Sequence, residues 1–346
     1  MPSITLGRAR PASPRAMMAW WDSVVRSVGA ALRRRPAPEM HEAARGQRVF
    51  VVLNPVAGTS DPERLRQLIT RRLREAQWHV EIHETAADED IAEVTRDALA
   101  RGFDLFIAVG GDGTVSGVAA ALIGRDVPVG IIPSGTGNAL ARELHIPPTA
   151  EGALDLILAS AATCRIDAIQ ITGHHYFMNA SIGVSAQTIR ATERSMKRRM
   201  GWLAYLVSGL KKLVGLQPAH FTLILDGERQ QVHATDIVIA NGGELGLGAG
   251  VPDIRLAPDT RIDDGEFNVI IIRARNSLDY VRIAWGILFG QNRHNPHVRF
   301  LKARYVFVES ERRLPVQADG EFIGWQTLEA RIVPRAVCFI VAHKGE

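Results

Sequence analysis

The chain has 346 residues, of which 46% are hydrophobic and 23% charged, and its formal net charge is +4. This composition excludes an intrinsically disordered chain, and the length suits two domains with a large core. No uninterrupted apolar run reaches the ~18 residues that a membrane-spanning helix needs, so any membrane contact is expected to be peripheral. Cys164 and Cys338 match no metal-ligand spacing, which favours a reducing compartment and predicts a cytoplasmic protein.

Residues 1–46 are predicted to form a basic extension that is disordered in part. Residues 1–48 hold nine arginines and three acids, a net charge of +6, which leaves −2 for the rest of the chain. Within residues 16–35, Trp21 begins an apolar series at helical spacing that ends at an arginine cluster. Tryptophan, an apolar stripe and clustered arginines are typical of a helix on a membrane surface. A helix packed on the protein itself and an arginine-rich targeting segment are the alternatives.

Residues 47–164 are predicted to form an α/β domain in which strands alternate with helices. Apolar runs predict strands at 48–53, 78–83, 103–109 and 128–133, and amphipathic segments predict helices at 62–76, 88–100, 115–122 and 139–144. Right-handed crossovers between such strands give a parallel sheet whose carboxyl-end loops share one edge. The segment is therefore predicted to be a Rossmann-like nucleotide-binding domain.

The third predicted strand runs into the turn Gly110-Gly111-Asp112-Gly113-Thr114. Glycines let backbone N–H groups approach a phosphate, and the positive end of a following helix favours negative charge. A carboxylate in such a turn would repel phosphate unless a cation bridges them, so Asp112 indicates a metal–nucleotide site. A tight turn in an ordinary α/β domain is the alternative for this turn alone. Polar loops at 54–58, Thr85 and 134–138 are expected at the same edge, and their convergence favours nucleotide binding.

From residue 165 to 329 the pattern changes to closely spaced strands with turns such as Asp226-Gly227 and Asp264-Gly265. Strands are predicted at 165–172, 176–180, 221–225, 231–240, 267–273, 303–309 and, beyond this segment, 330–341. Such spacing predicts an antiparallel β-sandwich. A helix is predicted at 200–213 after a basic run at 190–199, and the amphipathic stretch 278–289 is expected to line an apolar cleft.

The chain resembles the diacylglycerol kinase catalytic-domain family, bacterial lipid kinases related to sphingosine kinases. The resemblance covers residues 47–346 and is carried by four motifs: Asn54-Pro55 with Gly58, Gly110-Gly111-Asp112-Gly113-Thr114, Pro133-Ser134-Gly135-Thr136-Gly137-Asn138 and Asp319-Gly320-Glu321. It implies a two-domain fold of the NAD kinase and diacylglycerol kinase type, with ATP in the cleft between the domains. It also implies that a final segment, about residues 330–346, returns to the first domain.

The resemblance implies that Glu321 is the general base. The chemistry of phosphoryl transfer adds Asp319, which positions either this motif or a metal, and Asp112, which orients Mg²⁺. The implied ATP contacts are Asn54, Gly58, Thr85, Gly110, Gly111, Asp112, Gly113, Thr114, Val115, Ser116, Gly135, Thr136 and Asn138. Asp264, with the Glu266 carbonyl beside it, is implied as a metal-binding site, and Asp112 is the third predicted metal residue. From the residues alone, Asp319-Gly320-Glu321 also reads as a hairpin turn, as do Asp226-Gly227-Glu228 and Asp264-Gly265-Glu266.

Two positions depart from the family pattern. Ala139 follows Asn138 where many diacylglycerol-type members have an acid, and this run is more like the sphingosine-kinase branch. Arg261 stands three residues before Asp264, where the family often has another metal ligand, and Asp263 is the nearest substitute. The first departure leaves the acceptor lipid open, and the second leaves the second metal site open.

The expected function is an ATP- and Mg²⁺-dependent lipid kinase that phosphorylates a hydroxyl of a diacylglycerol-like or sphingoid lipid at a membrane surface, in phospholipid biosynthesis. Two alternatives stay open, a kinase of a soluble acceptor such as NAD and a catalytically silent nucleotide- or lipid-binding regulator. Nucleic acid is not expected as a partner, and a homodimer stays open.

Overall fold

The structure, a computed structural model, describes residues 47–58, 61–159, 162–183, 218–243, 260–274, 276–288 and 295–342. The predicted helices at 16–35 and 200–213 and the basic run at 190–199 lie outside these residues. No helix within the described ranges is both long and apolar enough to cross a membrane.

The first part of the described chain alternates strands with helices, as the sequence predicts. The strands are β1 (Arg48–Leu53), β2 (His79–Glu84), β3 (Leu105–Gly110) and β4 (Val129–Pro133), and the helices are α1 (Pro62–Glu75), α2 (Ile91–Ala100), α3 (Asp112–Ala121), α4 (Ala139–Glu143) and α5 (Ala150–Ala159). The carboxylates of Asp61 and Asp90 cap α1 and α2 by accepting backbone N–H groups of the first turn. The four strands are parallel in the order β2-β1-β3-β4, which confirms the α/β prediction.

Helix α3 begins earlier than the sequence analysis predicts. It starts at Asp112 rather than Val115, and the first intrahelical hydrogen bond runs from the Val115 N–H to the Gly111 carbonyl at 3.1 Å. The residues predicted to form a loop therefore form the first helical turn. Because N–H groups of a first turn lack intrahelical acceptors, this shift changes which donors the turn offers.

The second part of the described chain is antiparallel. Its strands are β5 (Ala162–Ile171), β6 (His174–Tyr176), β7 (Asn179–Gly183), β8 (Ala219–Leu225), β9 (Glu228–Ala234), β10 (Asp236–Ala240), β11 (Phe267–Ile272), β12 (Val298–Ala303), β13 (Tyr305–Ser310), β14 (Pro315–Ala318), β15 (Glu321–Trp325) and β16 (Thr327–Val341), with one helix, α6 (Ser277–Leu288), in the described ranges. Strands β16, β13, β8 and β9 continue the first sheet beyond β4, and β5 and β6 also join it. The second sheet has the order β12-β11-β10-β7-β14-β15. Buried residues of both sheets, among them Phe221 and Phe267, form one core, which confirms the sandwich.

Two predicted strands are each divided in the structure. The segment 231–240 crosses from the first sheet to the second at Thr235, whose N–H and hydroxyl both donate to the Ile272 carbonyl at 2.8 and 3.1 Å. The segment 176–180 is likewise split between β6 and β7. Strands β12, β14 and β15 were not predicted, because they are short and residues such as Lys302, Gln317 and Gly324 interrupt the apolar alternation.

Strand β16 connects the two parts of the chain. Its first residues pair with β13, its later residues pair with β5, and Phe339 pairs in parallel with Val129 of β4. The predicted domain boundary at residues 164–165 falls inside β5, which pairs with β16 along most of its length. The end of the described chain thus lies beside the strand that leads into the 134–138 loop.

Candidate active site

The loops that follow β1, β2, β3 and β4 lie at one edge of the parallel sheet. Ladder hydrogen bonds continue past the strand ends, since Thr85 N–H donates to Leu53 O, Asn54 N–H to Val109 O and Ser134 N–H to Gly110 O, at 2.9, 2.9 and 3.0 Å. These hydrogen bonds align the loops side by side at the same edge of the sheet. The structure therefore brings together the four loops in which the sequence places a nucleotide site.

Two glycines allow these loops to touch through their backbones. A Cβ atom on Gly135 would overlap the backbone of Gly111, and one on Gly58, whose φ is +72°, would overlap the Ser134 carbonyl. Asn138 has a φ of +51°, and its side chain bonds both the N–H and the carbonyl of Gly135, at 3.0 and 2.8 Å. Only glycine permits this close approach without moving the backbone.

The first turn of α3 offers backbone donors to an anion. In the described part of the chain, no protein acceptor takes the N–H groups of Gly113 and Thr114. A Cβ atom on Gly113 would meet nothing within 4 Å, so the space beside it is open. The Thr114 hydroxyl accepts the Asn54 side-chain amide at 3.2 Å, which connects this turn to the first loop. Unpaired N–H groups at a helix start suit a phosphate.

The other predicted ATP residues differ in their surroundings. Thr136 is exposed, whereas Thr85 and Ser116 are half-buried. Val115 is buried in the core of the α/β part, and its N–H is used by Gly111, so it offers neither a side chain nor a donor to the edge. Contacts of these residues with ATP stay predictions.

Asp112 connects the two glycine loops. Its Oδ1 accepts the Leu140 N–H at 3.3 Å, so the carboxylate stabilises the start of α4. Burial raises the pKa of Asp112, while the backbone N–H groups at the start of α4 oppose that rise. The residue therefore has a structural role in addition to the predicted role in orienting Mg²⁺.

Asp319 anchors the turn that carries Glu321. Its carboxylate accepts the backbone N–H groups of Phe177, Met178 and Asn179 at 2.7, 2.9 and 2.9 Å. Burial raises the pKa of Asp319 to about 6, and the negative charge of Asp112 adds to that rise. Helix α3, which follows the glycine loop, packs against β6, and the N–H groups that follow β6 are those that Asp319 accepts, so the glycine loop and this turn lie near each other.

Glu321 is exposed and is the first residue of β15, two positions after Asp319. Burial raises the pKa of the nearby Tyr176, and the negative charges of Glu321 and Asp319 raise it further. The Gln317 side chain holds the same turn, since its Oε1 accepts the Gly320 N–H at 2.9 Å. The candidate base is thus accessible and stands on a turn fixed by buried polar groups.

Two buried polar residues, Glu143 and Asn241, connect the two parts of the chain. Glu143 in α4 accepts the Gly243 N–H at 3.0 Å with its Oε2. Asn241 donates through Nδ2 to the carbonyls of Asp167 and Phe177, at 3.0 and 2.8 Å. These two residues differ from other polar residues in being buried, and local sequence does not reveal whether a single polar residue is buried.

The predicted metal residues Asp264 and Glu266 form an ion-pair cluster. Lys302 Nζ lies 3.1 Å from Asp264 Oδ2 and 3.3 Å from Glu266 Oε2, and Arg304 lies 3.6 Å from Glu266. Arg261 pairs with the neighbouring Asp263 at 3.1 Å. No group of three or more His, Cys, Asp or Glu side chains in the described ranges is arranged to hold a metal ion. The Asp264 and Glu266 carboxylates are thus paired with cations in this structure, and their role as metal ligands stays a prediction.

Asp167 is a second buried carboxylate between the parts of the chain. Its Oδ1 accepts the Arg335 N–H and its Oδ2 the Gly265 N–H, both at 2.6 Å, and it is 0% exposed. Burial raises the pKa of Asp167 to about 6, and the charges of Asp264 and Asp263 contribute.

We expect the stabilising effect of Asp167 to depend on pH. Because its pKa is higher in the folded chain than in the unfolded chain, the folded state binds the proton more tightly, and this contribution is lost as pH rises through about 6. The difference in unfolding free energy between the wild-type protein and Asp167→Asn should decrease by up to about 3 kcal/mol between pH 4 and pH 7. Urea unfolding of both proteins across this range measures the difference. A difference that grows with pH would contradict the prediction.

Two family models match the chain. The diacylglycerol kinase catalytic domain matches residues 48–171, and the YegS C-terminal NAD kinase beta sandwich-like domain matches residues 179–341. A diacylglycerol kinase of Bacillus subtilis is 28% identical over 281 residues, which cover 80% of this chain and 91% of that protein. A Chromohalobacter salexigens protein named "Probable lipid kinase YegS-like" is 33% identical over 280 residues, covering 79% of this chain and 87% of that protein.

The fold also matches a solved structure. The crystal structure of a diacylglycerol kinase from Bacillus anthracis superposes with a TM-score of 0.71 at 23% identity, covering 86% of this chain and 98% of that chain. The family models span the glycine loops and the Asp319-Gly320-Glu321 turn, and the Chromohalobacter relative is similar over most of its length. The chain therefore belongs to the diacylglycerol kinase catalytic-domain family.

Proposed function

We propose that the protein is an ATP-dependent lipid kinase that transfers the γ-phosphoryl group to a hydroxyl of a diacylglycerol-like or sphingoid lipid at a membrane surface. The proposal is supported by the proximity of two turns, one at the start of α3 and the other bearing Glu321. Helix α3, whose first turn is open, packs against β6, and the backbone N–H groups that follow β6 bind the Asp319 carboxylate in the turn bearing Glu321. This connection supports a phosphate donor and a general base close to one another.

The donor side is proposed to bind ATP through backbone groups. The N–H groups of Gly113 and Thr114 would donate to phosphate oxygens, because they lie at a helix start without a protein acceptor and the space beside Gly113 is open. Asp112 fits the orientation of Mg²⁺, since its carboxylate lies at the same turn and Mg²⁺ is usually held by one or two carboxylates plus substrate phosphates. When bound, Mg²⁺ neutralises charge on the phosphate oxygens.

The acceptor side supplies the base. Glu321 would accept the proton of the lipid hydroxyl while the hydroxyl oxygen forms a bond to the γ-phosphorus. The bond between that phosphorus and the β–γ bridging oxygen breaks at the same time, and ADP leaves. Asp319 would act as a positioning residue, because its three hydrogen bonds fix the turn on which Glu321 stands. The products are a lipid phosphate and ADP.

The proposal is tested by incubating the purified protein with labelled ATP, Mg²⁺ and separate acceptors: a diacylglycerol, a sphingoid base, and NAD without lipid. Transfer of label to either lipid supports the proposal, and the preferred lipid identifies the acceptor class. Label on NAD alone would replace it with a kinase of a soluble acceptor. ATP binding without transfer to any of the three would favour a silent regulator.

We expect the Mg²⁺ requirement to depend on Asp112 and not on Asp264. Asp112→Asn should raise the Mg²⁺ concentration for half-maximal activity at least about tenfold, because a neutral amide is a weak magnesium ligand. Asp264→Asn should change that concentration by less than about threefold, since Lys302 already balances the Asp264 charge. Activity is measured as a function of free Mg²⁺ for both variants. An equal shift in both would place the metal at the Asp264 loop instead.

A further inference from the structure

Helix α6 presents an exposed apolar face. Across the described residues, only four large apolar side chains are substantially exposed, and two of them, Leu278 at 56% and Trp285 at 59%, belong to α6. They are seven residues apart and therefore lie on the same face of the helix. The sequence predicts that this stretch lines an apolar cleft, but these two side chains lie on the protein surface instead. Tyr280 and Ile283 anchor the opposite face in a small core with Ala274.

The segment that contains α6 is rich in arginine. Residues 273–294 contain four arginines and a single acid, Asp279. Asp279 is 3% exposed and lies 3.4 Å from His297 and 3.7 Å from Arg282, so it adds no exposed negative charge to this face. Arg282 is exposed one turn from both Leu278 and Trp285, and Arg273 is exposed just before the helix. Exposed tryptophan and leucine beside arginine suit the interface of an anionic bilayer.

The outer face of the second sheet connects α6 with the candidate active site. Ile272 packs against the α6 core, and Ile270 lies in an apolar group with Val238 and Phe300 on the same face of the sheet. Asn268, four residues from Ile272 and about 13 Å along β11, shares a row with Ala240 and Asn179. The Asn179 carbonyl accepts the Asp319 N–H at 2.8 Å. Buried apolar side chains on this sheet face thus extend from α6 to the row of Asn268, Ala240 and Asn179, beside the turn that bears Glu321.

We propose that the face of α6 formed by Leu278, Arg282 and Trp285 docks on an anionic lipid bilayer and presents the acceptor-binding side of the protein to the membrane. The inference rests on the proposed function for its biological purpose. The bilayer contact itself rests only on the exposure of Leu278 and Trp285, the excess of arginines and the continuity of the apolar sheet face with the candidate active site. A second copy of the chain is the competing occupant of the face.

Vesicle co-sedimentation of the full chain tests the docking. Leu278→Ser combined with Trp285→Ser should lower binding to vesicles of phosphatidylcholine and phosphatidylglycerol by about tenfold or more. Arg282→Glu should lower binding to these vesicles by at least about fivefold, with little effect on vesicles of phosphatidylcholine alone. Arg96→Glu on α2 is the matched control, because Arg96 is about as exposed as Arg282 and lies in the other part of the chain. It should bind like the wild-type protein.

The readouts separate the docking surface from the proposed function. If the protein is a lipid kinase, the double variant should keep wild-type activity on a short-chain acceptor dispersed below its micelle concentration and lose activity on vesicles. If no acceptor is phosphorylated, vesicle binding still tests whether this face of α6 docks on a bilayer. Unchanged vesicle binding by the double variant would overturn the docking proposal. A dimeric wild-type protein that becomes monomeric in the double variant, with equal vesicle binding, would assign the face to a second copy.

Discussion

Glu321→Gln is expected to lower the turnover number by about 10³-fold, because a general base contributes roughly 10²–10⁴ to such a rate and an amide does not take up the proton. ATP affinity should stay within about twofold of the wild-type value, since Glu321 belongs to β15 and the phosphate donors belong to α3. Label transfer to the acceptor lipid gives the turnover number, and equilibrium dialysis with labelled ATP gives the affinity.

Glu228→Gln is the matched control for this substitution. Glu228 follows Asp226-Gly227 in the hairpin between β8 and β9, so the same three residue types form a turn there, and Glu228 is exposed like Glu321. The Asp226 carboxylate caps the N–H groups of Arg304 and Tyr305, whereas the Asp319 carboxylate binds the strand beside the cleft. Glu228→Gln should therefore keep full activity. A Glu321→Gln variant with wild-type turnover, or equal losses in both variants, would show that Glu321 is not the base.

This comparison marks the limit of what the residues predict by themselves. Asp226-Gly227-Glu228, Asp264-Gly265-Glu266 and Asp319-Gly320-Glu321 are locally alike, and only tertiary contacts distinguish a solvated hairpin, an ion-pair cluster and a turn beside the cleft. By contrast, the parallel sheet was predictable strand by strand, because continuous apolar runs and helix caps such as Asp61 and Asp90 are local signals.

The features that the sequence did not reveal have physical causes of the same kind. The chain crosses between the sheets at Thr235, and threonine is not a residue type that marks a turn. One continuous strand was therefore predicted there. Lys302 balances Asp264 across 38 positions of sequence, so only the fold shows the charge match. Leu278 and Trp285 have helical spacing whether they face a core or the solvent, and their exposure depends on what the rest of the chain covers.

The glycine turn gives the second large effect. Gly113→Ala should weaken ATP binding by about 100-fold, because a methyl group would enter the open space beside the N–H groups and keep phosphate oxygens from reaching them. The same change should raise the free energy of unfolding by about 0.5–1 kcal/mol, because alanine is favoured over glycine inside a helix. Equilibrium dialysis and urea unfolding measure the two effects.

Gly135→Ala separates a loss of ATP contact from a loss of structure. Its added Cβ atom would overlap the Gly111 backbone, so the two glycine loops would have to move apart. We expect this variant to lose both ATP affinity and stability, whereas Gly113→Ala should lose only affinity. Equal ATP binding by Gly113→Ala and the wild-type protein would place the phosphates away from the first turn of α3. The opposite signs of the two stability changes thus make the pair a direct test of whether the turn that begins at Gly111 is shaped for a ligand.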